Sequence, residues 1–245
     1  MTIKPYVFGH RGAMGYCIEN TIDCFRKAVE MGAGIEADLQ RTKDNEIVIF
    51  HDPAFRNNSR WYSIKSLTLK ELRAIEFKDK RRIPQLKELF ETFLDGPKSL
   101  RYSFDISNYK VGQALIETSK QYGLLEIIEI TDTRIHVLNR LRKFDKSVKL
   151  ILTLPHNIVN ISPENTNFTK LKEIRVKTIN LRSNRAKLNN FKTIIDNGFN
   201  CYVWNVDSKI IMKRILNLNY KGKYVKALYT DYPDILINLR DQIFP

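Results

Sequence analysis

The sequence predicts an α/β protein of the (β/α)8 TIM barrel class, and three observations lead there. Short β-rich runs alternate with turns and helical stretches along the chain, the order that builds a parallel sheet covered by helices. About eight of these runs read as parallel strands, which favours a closed barrel over a doubly wound sheet. The length of 245 residues matches one barrel domain, with no low-complexity linker to divide it.

The expected strands are Tyr6–His10, Gly34–Leu39, Glu46–His51, Leu100–Ile106, Glu126–Thr131, Lys149–Leu154, Thr178–Leu181, Asn200–Trp204 and Ala227–Thr230. The helices between them are Thr21–Met31, Val111–Tyr122, Thr133–Phe144, Phe191–Asn197, Ser208–Leu218 and Asp234–Gln242. Asn20 stands where an N-cap belongs, before the amphipathic run that begins at Thr21. Asn197-Gly198 supplies a helix stop before the strand Asn200–Trp204. Residues 52–85 break the rhythm: a polar, turn-rich stretch precedes a short capped helix at Ser66–Leu72, and Ile83-Pro84 closes the segment. They are expected to form a small insertion over one rim of a single barrel domain spanning residues 1–245.

Hydrophobic residues make up 43% and charged residues 28%, a balance for a folded globular chain rather than a disordered one. No apolar run is long enough to span a membrane, and Met1–Gly9 lacks the apolar core of a signal peptide, so the expected location is cytoplasmic. Cys17, Cys24 and Cys201 fit no zinc motif, and an odd count argues against a disulfide framework, so reduced thiols are expected. The net charge of +14 attracts anions. It is spread along the chain, with clusters at residues 78–82, 140–149 and 209–226. No Walker, helix-turn-helix or RNA-recognition signature accompanies it, so specific nucleic-acid binding is not expected.

Glu36 and Asp38 are two apart on an expected strand and so share a face, where paired carboxylates repel unless a proton or cation stands between them. A hard divalent cation suits such oxygen ligands; a solvent-facing acidic pair is the plainer alternative. His10 and His51 each end an expected strand, where barrel enzymes hold their reactive groups, and histidine exchanges protons near neutral pH. Arg11 can grip a phosphate bidentately or make a rim salt bridge. Asp105 is an acid inside a β-rich run, where Asp is disfavoured; a third metal ligand or a nearby helix cap would account for it. His136 and His156 lack such placement and read as surface residues.

These segments together resemble the glycerophosphodiester phosphodiesterase family. The resemblance runs through Gly9-His10-Arg11-Gly12, Glu19-Asn20-Thr21, Gly34-Ile35-Glu36-Ala37-Asp38, Thr42-Lys43-Asp44 and His51-Asp52. It continues through residues 67–72 and 83–88 to Val203-Trp204-Asn205-Val206 and Tyr229-Thr230-Asp231-Tyr232-Pro233-Asp234, and is weak over residues 111–200. The resemblance implies a barrel with a small insertion after the second strand. It implies His10 and His51 as general acid and base, Arg11 on the substrate phosphate, and Glu36, Asp38 and Asp105 around one divalent cation, Mg²⁺ or Ca²⁺, with Mn²⁺ also acceptable. The implied substrate is a small glycerophosphodiester, whose own glycerol hydroxyl attacks phosphorus to give a cyclic phosphate that water opens to glycerol 3-phosphate.

The chain departs from the family pattern in places. Asp105 replaces the usual Glu, Ser107 the usual Lys, and Ile18 a proline, and the segment after His51 lacks an Arg-Thr-Thr run. Lys149 or Arg182 is expected to supply the charge lost at Ser107. Phe55, Trp61 and Tyr62 form either an apolar wall beside the substrate or the insertion's own small core. Two further readings stay open: a lysophospholipase D-like enzyme of lipid metabolism in peripheral contact with anionic membrane, and an inactive barrel that binds an anionic ligand. The oligomeric state and the head group are not legible.

Overall fold

Eight parallel strands close into a barrel in the computed structural model, which describes residues 4–155 and 157–245; His156 lies outside the described residues. The strands are β1 (Tyr6–Gly9), β2 (Gly34–Arg41), β3 (Tyr102–Ile106), β4 (Ile128–Asp132), β5 (Lys149–Thr153), β6 (Thr178–Arg182), β7 (Asn200–Trp204) and β8 (Ala227–Thr230). Each pairs in parallel with the next, and β1 closes the ring on both β8 and β2 (Phe8 opposite Tyr229 and Gly34). Helices lie between most successive strands, as a right-handed parallel crossover demands.

Strand residues alternate between two environments because side chains on a strand alternate faces. Val7, Ile35, Ala37, Leu39, Phe104, Ile130 and Leu150 pack outward in the large core beneath the helices. Phe8, Ile151, Tyr202, Ala227 and Tyr229 form a separate cluster, with Phe8 stacked on Tyr229 at 4.9 Å. Arg101 pairs with buried Glu129, and both bond Tyr202 Oη. Arg101 immediately precedes β3 and Glu129 is the second residue of β4, so this polar group sits towards the end of the barrel where the strands begin.

Several expectations are corrected. Ile47–Ile49 is not a barrel strand but pairs antiparallel with β2, Leu39 opposite Ile49, through the tight turn at Thr42–Glu46. Asn45 holds that turn at φ +70, a conformation Asn tolerates. Thr21, not Asn20, caps the helix Ile22–Glu30, accepting from Cys24 N at 3.3 Å. Two short helices, Leu86–Thr92 and Phe168–Glu173, were not expected. Cys17 and Cys24 form a disulfide, and only Cys201 is a free, buried thiol. The reason is local: the loop after β1 folds back on the first turn of its helix, with Ala13 N donating to Cys24 O, so two nearby cysteines meet.

Residues 54–73 carry a hairpin (Ala54–Asn57 with Arg60–Ser63) and the helix Leu69–Arg73. Phe55 packs with Val48, Ile64, Leu72 and Ile83 and stacks on Tyr62, a small core of its own. Trp61 stands out of it, 69% exposed. No helix among the described residues is long and apolar enough to cross a membrane.

Candidate active site

The C-terminal ends of the strands gather the chemistry. Glu36 and Asp38 alternate along β2, and the register places Asp38 opposite Asp105 of β3. One carboxylate oxygen from each of Glu36, Asp38 and Asp105 lies within 4.8 Å of the others. Glu36 and Asp38 are 5% and 8% exposed, whereas Asp105 is open to solvent. Burial and the neighbouring Asp38 charge push the Glu36 carboxyl up to about 7. Asp105 is raised well above its ordinary value by desolvation, then by Glu36 and Asp38. Three crowded oxygen ligands that resist ionisation together are a fitting donor set for a hard divalent cation, whose charge would let all three ionise. Thr131 Oγ1, opposite Asp105 on the next strand, and Asn180 Oδ1, across the cavity, are buried polar atoms without a hydrogen-bond partner.

The turn after β1 carries two more members. Arg11 and Gly12 hold positive φ, +51 and +88, so the chain reverses within three residues. Gly9 permits this, since a Cβ there would lie 2.6 Å from Gly12 O. The turn aims Arg11 N at Glu36 Oε2 (2.8 Å), while the guanidinium bonds Glu19 (2.7 Å) and approaches Asp38 (3.2 Å). Asn20, at φ +55, donates from Nδ2 to Asp38 Oδ2 at 3.0 Å, which is its work in place of capping.

His10 Nδ1 donates to Asp231 Oδ1 at 2.8 Å, just beyond β8. Burial alone would lower the His10 pKa, but the Asp231 hydrogen bond and the Glu36 charge outweigh it and raise it to about 9. Asp231 is fixed in turn by its N–H to Asp207 Oδ1 at 2.9 Å. His51 follows the antiparallel strand rather than a barrel strand, yet reaches the same place; its Nδ1 pairs with Asp52 at 2.7 Å.

His10, Arg11, Glu36, Asp38, His51 and Asp105 all line one cavity of about 200 Å³, with Thr153, Asn180 and Trp204 on its far wall. His136 is exposed on a helix outside it. Of the two expected substitutes for the lysine lost at Ser107, Lys149 begins β5 and so belongs to the opposite end of the barrel. Arg182 ends β6 on the correct face, where it stacks over Trp204 (5.3 Å) and bonds Asn205. Arg134, not foreseen, donates to Ser107 O at 3.1 Å while paired to Asp132. Neither Phe55, Trp61 nor Tyr62 lines the cavity.

Four residues that touch the site were given no site role in the sequence: Glu19, Asn20, Asp52 and Asp231. Asp231 did leave a signal, since it follows directly on a strand as His10 does.

Comparisons with known proteins give the family. The profile of the glycerophosphoryl diester phosphodiesterase family matches residues 10–235. A glycerophosphodiester phosphodiesterase of Caldanaerobacter subterraneus subsp. tengcongensis is 30% identical, over 97% of this chain and 98% of its own length. A lysophospholipase D of Mus musculus is 25% identical over 91% of this chain and 76% of its own. In fold, the chain is similar to an Oleispira antarctica phosphodiesterase solved with the product sn-glycerol-3-phosphate, with a TM-score of 0.82 and 17% identity over 97% of each chain. The chain belongs to the glycerophosphoryl diester phosphodiesterase family, whose members are phosphoric diester hydrolases.

Proposed function

We propose that this chain hydrolyses small glycerophosphodiesters to glycerol 3-phosphate and an alcohol, with Glu36, Asp38 and Asp105 holding one divalent cation, Mg²⁺ or Ca²⁺. The observation that carries the reading is the convergence of those three acids with Arg11 and two aspartate-paired histidines on one cavity. A cation held there would neutralise charge developing on the phosphate and lower the pKa of a bound hydroxyl.

The histidines divide the proton work. Asp231 and Asp52 occupy Nδ1 of His10 and His51, which leaves Nε2 of each for the substrate. His10, held protonated by its neighbours, gives its proton to the departing alcohol. His51 takes the proton of the glycerol hydroxyl as that oxygen bonds to phosphorus and the alcohol oxygen leaves, closing a cyclic phosphate. In the second step His10 takes a proton from water, the water oxygen bonds to phosphorus, and His51 returns its proton to the glycerol oxygen as the ring opens. Arg11 binds a phosphate oxygen.

A lysolipid is the second substrate reading, favoured by exposed Trp61 on the insertion and by likeness to a lysophospholipase D. The anionic-membrane contact expected from the +14 charge would serve that substrate. A cytoplasmic setting was the expectation, but the Cys17–Cys24 disulfide favours an oxidising compartment.

The test is turnover of glycerophosphocholine, glycerophosphoethanolamine and a lysolipid by the purified protein, with EDTA, Mg²⁺ or Ca²⁺. Glycerol 3-phosphate should appear only with cation and vanish in Glu36→Gln. A lysophosphatidic acid product from the lysolipid alone would select the second substrate. Turnover that is indifferent to EDTA and to Glu36→Gln would overturn the metal assignment.

A further inference from the structure

We propose that the opposite mouth of the barrel is a second binding site, for a small soluble phosphomonoester. A cavity of about 460 Å³ opens there, among the residues that begin β5, β6 and β7. Its walls carry Arg142, Lys146, Lys149, Arg175 and Lys177. Against these five cations stands one lining carboxylate, Glu129, which is already paired with Arg101. Among the described residues, none of the five makes an ion pair with a carboxylate.

Arg142 adds an independent argument. It is 8% exposed, and its guanidinium donates only to carbonyls: Ile174 at 2.9 Å, Asp145 at 3.2 Å and Val148 at 2.7 Å. These bonds engage its three nitrogens and tie two loops together but put no carboxylate in direct contact with it; desolvation lowers its pKa, the nearby Asp145 charge opposes that only in part, and Arg175 adds to it. Buried charge of this kind is ordinarily paired. An anion in the adjoining cavity would relieve both that cost and the repulsion among the four exposed cations.

The chemistry of the ligand follows from charge and size. Several cations around one recess match a compact dianion with three acceptor oxygens, as a phosphomonoester is. The cavity falls in the range of about 300–1,000 Å³ typical of small-molecule sites, larger than bare phosphate needs, so the phosphate would arrive on a small polar carrier. A flat lipid surface would meet the protruding lysines but not recessed Arg142. This proposal is independent of the catalytic reading, because the catalytic cavity lies at the other strand ends.

The test is an amide NMR titration of the full chain in EDTA at about 0.1 M salt, where long-range screening is strong. Glycerol 2-phosphate, inorganic phosphate and vesicles containing phosphatidic acid are the three probes, with sodium chloride at matched ionic strength as control. The expected result is saturable shifts at residues 146–149 and 175–178 with glycerol 2-phosphate, weaker ones with inorganic phosphate, and none with chloride. Lys149→Gln/Arg175→Gln changes two exposed side chains and should weaken that binding by about tenfold or more. Shifts that never saturate, that are confined to the residue 10–38 region, or that appear only with vesicles would overturn the proposal; so would a folded double variant that binds as well as the parent.

Discussion

Asp231 shows how one residue sets the working state of another. His10 is raised from 6.5 to about 9 while facing Asp231, Glu36 and Arg11. A histidine whose pKa is higher in the folded chain adds stability that is complete below 6.5 and is lost as pH rises through about 9. Asp231→Asn keeps the size and removes the charge, so in EDTA the fall in urea-unfolding stability across that window should flatten. The same variant should lose diester turnover mainly in kcat, by about 10²-fold or more if His10 is the acid, with its alkaline limb moved to lower pH. A uniform loss with an unchanged pH profile would reduce Asp231 to a structural residue. The six residues singled out in the sequence meet on one cavity, and their chemistry could be read because each carries it in its own side chain on or just beyond a strand. That of Asn20 could not: a short amide serves equally to cap a helix or to hold a carboxylate, and only the positive φ and the nearness of Asp38 decide between them. Asp231 reaches His10 across 221 residues of sequence, a pairing that exists only once the ring has closed.

At the scale of elements, the strands were readable because barrel strands are apolar runs bounded by turns, and the sequence punctuates them clearly. The error at Glu46–His51 came from treating every β-rich run as parallel. The run is too near β2 to allow a crossover, which needs about a dozen residues or more, so antiparallel pairing is the only way back. The helices Leu86–Thr92 and Phe168–Glu173 span seven and six residues, too few for a helical period to declare itself. The loop after β1 is the element with most at stake, since it carries Arg11, Glu19 and Asn20 and is stapled by Cys17–Cys24. Closing so short a loop restricts the unfolded chain by about 2.5 kcal/mol on the chain-entropy account. Cys17→Ser/Cys24→Ser should lower urea-unfolding stability by that order and raise KM for the diester, because the loop carries Arg11, the proposed phosphate ligand. Unchanged stability in the serine variant would mean that the backbone bonds from Ala13 and Asn20 already hold the loop.

Across the whole molecule, the two mouths of the barrel differ in their charged side chains. The C-terminal mouth collects Glu36, Asp38, Asp105 and Asp231, and the N-terminal mouth collects Lys149, Arg175 and Lys177. Composition announced the excess charge and the sequence its cluster at residues 140–149, but neither records which strand end receives it. Arg101 and Glu129 pair beneath the N-terminal mouth, the carboxylate almost wholly buried and its partner partly exposed. Removing one partner leaves a buried charge alone, so Arg101→Leu should cost about 3–5 kcal/mol in urea unfolding, and the double change with Glu129→Leu should recover much of it. A negligible loss in the single variant would mean that Tyr202 alone suffices for Glu129.

The engagement of Arg11 carries a consequence for timing. Its guanidinium leans on Glu19 and Asp38, and its amide on Glu36, two of these three acids being proposed metal ligands. A diester arriving first would have to pull the arginine from Asp38 and leave that buried carboxylate with the Asn20 amide but no countercharge. Were Asp38 to answer to a cation instead, Arg11 would be free to turn to phosphate at less cost. The expected order is then ion before diester, and initial-rate plots that vary both should show substrate affinity rising with ion concentration, whereas affinity indifferent to the ion would remove this coupling.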